Sequence, residues 1–195
     1  SRTMADGVYE GVRVDFLGFL GTSRTRMQLD VGFGDPVVPA PTKVSYPVML
    51  DHPSPVLLTY SRESAIAEKL SAMLRLGTTN SRMKDYYDIW LFSQESHFDG
   101  ATLAEAIRQT LDARGISASG SPVGLRQEFA EAEGKASQWE GFVRKSQAAG
   151  APETLADVVS AASSFLSPVL EALASAEEFT DVWRAPLRSK DKIER

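Results

Sequence analysis

At 195 residues and 21.2 kDa the chain is long enough for one substantial domain or two small lobes with a buried core. Hydrophobic residues at 43% and charged residues at 24% exclude a disordered, collagenous or coiled-coil chain. No cysteine and only two histidines exclude disulfides, thiolate metal sites, cysteine nucleophiles and His-rich zinc sites, and a net charge of −5 leaves any nucleic-acid contact to a local patch.

The first third reads as strands. Residues 8–20 alternate with Val12, Val14 and Phe16 on one face, Gly21 to Thr25 is a turn, and Met27 to Val31 resumes the alternation as the second arm of a hairpin. Six prolines between Pro36 and Pro55 predict a loop-rich connection with one short strand at Val48-Met49-Leu50. After Tyr60 the period changes to 3.6. Ser61 caps a helix carrying Ile66, Leu70, Met73 and Leu74 that stops at Gly77. Asn80-Ser81 caps a second helix, apolar all round from Met83 to Phe92, and Thr102 to Glu105 is a capping box opening a third that ends before Gly115. Residues 115–124 form a joint. Two more helices are expected over 125–146, broken near Gly134, and over 152–174, kinked near Pro168, before a polar, frayed tail from Trp183. The division expected is a sheet region over 1–60, helices over 61–115 and a helical region over 116–195. No run approaches the roughly 18 apolar residues of a membrane span and no secretion signal opens the chain, so a cytoplasmic protein with no membrane partner is expected.

Three places break the local pattern. With Leu29, Val31 and Phe33 on one side of the second strand, Asp30, Gly32 and Gly34 share the other, with Asp35 at its end. Either this is a bare shelf where a phosphate and a hard metal ion approach the backbone, or Gly32 to Pro36 is a bulge or turn leaving the sheet. Glu63 falls on the apolar stripe of the helix after Tyr60 and Lys69 lies at its edge, which means either a snorkelling lysine or a polar pocket against that stripe. In Arg82-Met83-Lys84-Asp85-Tyr86-Tyr87-Asp88 the charges sit on a helix with little exposed face. They form either a structural network of Arg82, Lys84, Asp85 and Asp88 or a set of groups that holds phosphates and metal-bound water. His52 and His97 lack ligand-spaced partners, and Arg184, Arg188, Lys190, Lys192 and Arg195 make a basic end that either touches RNA phosphate or is solvated.

Four blocks, Leu29 to Asp35, Tyr46 to Leu50, Glu63 through Leu70 and Asn80 to Asp88, resemble in order and spacing the AbiEii/AbiGii-type nucleotidyltransferase toxins of type IV toxin–antitoxin and phage-defence systems. The resemblance covers about residues 8–95, and the remainder looks like that family's helical region. It implies an α+β fold, with antiparallel strands of a polymerase-beta-like nucleotidyltransferase followed by a C-terminal helical lobe. It further implies magnesium, a nucleoside triphosphate, an RNA acceptor such as transfer RNA, and a cognate antitoxin.

Carried over residue by residue, the resemblance makes Asp30 the acid of the second motif with Asp35 beside it, both expected at the metal. Lys69 is the third motif's lysine, and Lys84, Asp85 and Asp88 are the fourth motif. The expected catalytic set is Asp30, Lys69, Asp85 and Asp88. The expected nucleotide-binding set is Gly32, Gly34, Lys69, Arg82 and Lys84. The family's first motif, a Gly-Ser or Gly-Gly turn followed by paired acids, has no counterpart, because Gly21-Thr22-Ser23 is not followed by paired acids. The expectation is a family member lacking its N-terminal part and inactive by itself; the alternative is a non-catalytic protein- or RNA-binding module on the same scaffold.

Overall fold

The computed structural model describes residues 2–5, 10–148 and 150–186. The chain forms two compact units, 1–36 and 37–195. Strands lead and helices follow, so the architecture is the expected α+β one.

The first unit is a three-stranded antiparallel sheet in the order β1 (Arg2–Ala5), β2 (Glu10–Leu20) and β3 (Ser23–Gly32). Only Gly21 and Thr22 lie between β2 and β3, so the turn is tighter than the five residues expected. Gly21 has φ +58°, the conformation such a loop favours in glycine. That turn pairs Leu20 with Ser23 and, by register, Arg13 with Asp30. β1 is an additional strand, at four residues too short for its period to be read.

In the second unit the short strand expected at Val48-Met49-Leu50 is not formed. Those residues lie in an exposed bend, and the pairing strands are β4 (Thr42–Ser45) and β5 (Val56–Thr59). Pro47, Pro53 and Pro55 lack the N–H that a ladder needs, so pairing stops where Tyr46 N–H donates to Pro55 O at 2.8 Å. The start of α1 (Arg62–Leu76) is tied to the proline-rich connection. Ser61 accepts from Ser64 N–H, Ser61 and Ser64 hydroxyls both donate to Val38 O, and Val38 N–H donates to Ser64 Oγ. Gly77 ends α1 as expected, with φ +51°.

α2 (Met83–Glu95), α3 (Gly100–Ala113), α4 (Gln127–Glu131), α5 (Lys135–Ser146) and α6 (Leu155–Ala174) complete the unit, with Gly134 at φ +79° breaking α4 from α5. Two cap assignments are corrected. Asn80 Oδ1 accepts from Arg82 N–H ahead of α2, and no side chain caps the helix itself. Asp99, not Thr102, caps α3, accepting from Thr102 N–H, because the helix starts three residues earlier than the capping-box reading places it. Ile66, Leu70 and Met73 of α1 join Tyr86 and Ile89 of α2, Leu103 and Ile107 of α3, and Val158, Leu166 and Leu170 of α6 in one buried core. Each such side chain contributes roughly 1.5–3 kcal/mol by leaving water.

The tail is also corrected. Trp183 is anchored, with its backbone paired to Phe98, its indole N–H donating to Ser93 O at 2.9 Å and its ring against Phe165. Aromatic burial with a satisfied N–H outweighs the polarity of its neighbours in sequence. Arg188, Lys190, Lys192 and Arg195 of the expected basic end lie outside the described residues. Among the described residues one helix, α6, is long and apolar enough to cross a membrane; its apolar stripe, from Val158 to Leu170, is part of this core.

Candidate active site

A cluster of four charged side chains lies between α1 and α2. Lys69 stands at the edge of α1's buried stripe, and there Lys69 Nζ meets Asp85 Oδ1 at 3.0 Å and Asp88 Oδ2 at 2.6 Å. Asp88 Oδ2 also receives Lys84 Nζ at 2.6 Å, the pair four apart on α2 that the spacing predicts. The side chains of Lys69, Asp85 and Asp88 are 19%, 16% and 17% exposed, whereas that of Lys84 is 71% exposed. Burial pulls the Lys69 ammonium down. The hydrogen bonds that the ammonium donates to Asp88 and Asp85, together with their charges, outweigh it, so Lys69 ends above the ordinary lysine value and is charged at neutral pH.

An ammonium has three donors, and the two aspartates take two of them. The aspartates thus hold Lys69 in one orientation with a donor to spare. Asp85, Arg82 and Lys84 line an open cleft of about 450 Å³ at the start of α2, with Ser81, Met83, Gln138 and Phe142 as the remaining walls. Glu63 is half-buried and has no hydrogen-bond or ion-pair partner among the described residues. Glu68, five residues further along α1, forms an ion pair with Arg114, which also donates to Ser71, so α1 is braced to the end of α3. His97 accepts from Ala185 N–H, a structural role.

In the first unit Asp30 is held across the sheet. Arg13 donates to its two oxygens at 2.7 and 2.9 Å and Gln28 donates at 3.0 Å, and the Arg13 hydrogen bond holds the Asp30 carboxyl below the usual carboxylate range. Arg13 was not singled out in the sequence, yet the two-residue turn predicts it: once Leu20 faces Ser23, Arg13 faces Asp30. A Cβ on Gly32 would come 3.0 Å from Asp35 Oδ2, so that carboxylate covers part of the glycine shelf. Gly34 has φ +79° with open space around it, the geometry of a turn leaving the sheet.

Lys69, Asp85 and Asp88 are therefore brought together with Lys84. Of these four, Asp85 and Lys84 share the lining of the cleft with Arg82, whereas Lys69 and Asp88 lie outside it. Asp30, Asp35, Gly32 and Gly34 belong to the other unit. A divalent ion needs several oxygen ligands at once. Among the described residues no three carboxylate or imidazole side chains form such a set, and Asp30 is already engaged by Arg13 and Gln28. The residues described thus do not by themselves fit magnesium.

The comparison with curated proteins and the comparison with solved structures each gave no match. The family model described as Nucleotidyl transferase AbiEii toxin, Type IV TA system, matches residues 1–162, which include the first unit and the Lys69, Asp85 and Asp88 cluster. The chain belongs to this family of nucleotidyl transferase toxins of type IV toxin–antitoxin systems.

Proposed function

We propose that the protein acts in transfer of a nucleotide from a nucleoside triphosphate to an RNA, transfer RNA among the candidate acceptors, in the cytoplasm and under control of a cognate antitoxin. The observation that supports this most is the shielded Lys69 ammonium, oriented by Asp85 and Asp88 and left with one donor for a phosphate oxygen. Arg82 and Lys84, which line the cleft together with Asp85, add positive charge for the rest of the triphosphate. In the reaction the acceptor hydroxyl oxygen bonds to the α-phosphorus, the bond to pyrophosphate breaks, and the hydroxyl proton passes to a carboxylate. Asp85 suits that last role better than Asp88. It lines the cleft and carries one lysine, whereas Asp88 Oδ2 carries two. For Asp30, Asp35, Gly32 and Gly34 on the first unit the metal- and phosphate-side roles rest on the family resemblance alone, since the residues described do not by themselves hold a divalent ion. No step passes through a metal here, because the described residues form no three-ligand set.

One observation favours the second reading, a non-catalytic module. The two lysines and two aspartates of the cluster neutralise one another, as a structural network would. Labelled nucleoside triphosphates with magnesium and total transfer RNA separate the two. The chain by itself is expected to label nothing, and joined to a segment bearing the family's paired first-motif acids it is expected to label RNA. In that active form Lys69→Ala should slow transfer about a hundredfold, on the order of 3 kcal/mol of barrier, while Arg75→Ala on α1's exposed face leaves the rate unchanged. An unchanged rate for Lys69→Ala refutes the catalytic reading, and labelling by the chain alone refutes the need for added acids.

A further inference from the structure

The two faces of the β2–β3 hairpin differ in chemistry. Val12, Val14 and Phe16 lie opposite Val31, Leu29 and Met27 on one face. On the other, towards the Gly21-Thr22 turn, Phe19 faces Arg24 and Leu17 faces Arg26. Phe19 is 65% exposed, and the Arg24 guanidinium lies over its ring, 5.8 Å from the centroid. Arg26 follows two residues along the same strand, roughly 7 Å away at strand spacing. Among the described residues neither arginine has a carboxylate partner, in contrast to Arg13 further along the same face, which is bound to Asp30. A chain of net charge −5 thus presents, beside an exposed aromatic ring, two guanidinium groups with no ion-pair partner among the described residues, although Asp15 lies on the same face opposite Gln28.

We infer that this face of the hairpin tip docks single-stranded nucleic acid, with a base stacked on Phe19 and successive phosphates against Arg24 and Arg26. The two demands of such a ligand are a π-face and a regularly spaced anionic backbone, and both are met within four residues of two paired strands. Acidic peptides match the arginines but leave the Phe19 face unexplained. Double-stranded nucleic acid offers phosphates but no free base face. The naming of RNA as the natural ligand rests on the acceptor reading above, whereas the docking itself rests on the hairpin.

The test is fluorescence anisotropy of the full chain with a labelled single-stranded RNA of about 12 nucleotides, with DNA of the same sequence and duplex RNA in parallel arms. Phe19→Ala is expected to weaken binding of the single strand about tenfold, within the range for loss of one stacked base. Arg24→Gln with Arg26→Gln should weaken it further and flatten the dependence of log Kd on log salt by about 1.4, two phosphates' worth for a single strand. Arg144→Gln on α5 should change nothing. Tighter binding of RNA than DNA identifies RNA as the ligand, and equal binding supports docking through bases and phosphates alone. Equal affinity for duplex RNA, no binding of the single strand, or binding indifferent to the hairpin variants overturns the proposal. Loss of RNA binding in the hairpin variants of a protein that transfers no nucleotide even when joined to the paired first-motif acids would overturn the transferase reading and leave the docking surface standing.

Discussion

Replacing Lys69 with methionine tests whether the cluster between α1 and α2 is held by charge. Methionine keeps an unbranched stem of similar volume, so α1 keeps its packing and loses only the ammonium. Asp85 Oδ1 and Asp88 Oδ2 both touch that ammonium. Without it two carboxylates stand less than about 6 Å apart, close enough for like charges to oppose each other's ionisation. Asp88 keeps Lys84, but Asp85 loses its cation. Removing one partner of a fully buried pair costs roughly 3–5 kcal/mol, and an exposed pair contributes less than about 1. With exposures of 16–19% the three side chains lie between these limits. The expected loss is about 2 kcal/mol, or roughly 4–8 °C in melting temperature for a chain of this size.

The sign of the pH dependence separates charge from packing. Because Lys69 is raised above the ordinary lysine value, its pair contributes fully below that value and is lost as pH rises through the raised one. In Lys69→Met the penalty comes from the negative charge of two facing carboxylates, so it should be smaller at acidic than at neutral pH. Circular-dichroism melts at neutral and acidic pH measure both effects. Adding Asp85→Asn and Asp88→Asn to Lys69→Met should recover most of the loss at neutral pH. Equal melting of Lys69→Met and the unsubstituted chain at neutral pH, or a deficit identical at both pH values, would refute the electrostatic account.

Two further outcomes follow from packing. A Cβ at Gly100 would sit 2.1 Å from the Asp181 carbonyl oxygen, so Gly100→Ala should lift the 177–184 segment off α3 and speed chymotrypsin cleavage at Phe179 and Trp183; an unchanged digest would show that the contact does not hold the segment. Tyr86 donates to Gly124 O at 3.0 Å while its ring stacks on Phe129, so Tyr86→Phe should keep the stack, leave a buried carbonyl without its donor and lower stability in urea titrations by about 1–2 kcal/mol.

Much of the local structure was legible in the sequence. Ser61 and Gly77 bound α1, Gly134 breaks α4 from α5, and Lys84 and Asp88 pair one turn apart. Even the unusual place of Lys69 at the edge of an apolar stripe is a matter of helical period. These features depend on neighbours within a turn or two, where covalent spacing decides who meets whom. The short strand expected at Val48–Leu50 failed because apolar character alone does not pair a segment that sits between Pro47 and Pro53 with no partner strand beside it. Only the tertiary structure brought Lys69 to Asp85, sixteen residues away, joined Glu68 to Arg114, and anchored Trp183 ninety residues from Ser93. Such pairings depend on how α1, α2, α3 and α6 lie against one another. That arrangement is set by the summed burial of many side chains, which no window of sequence contains.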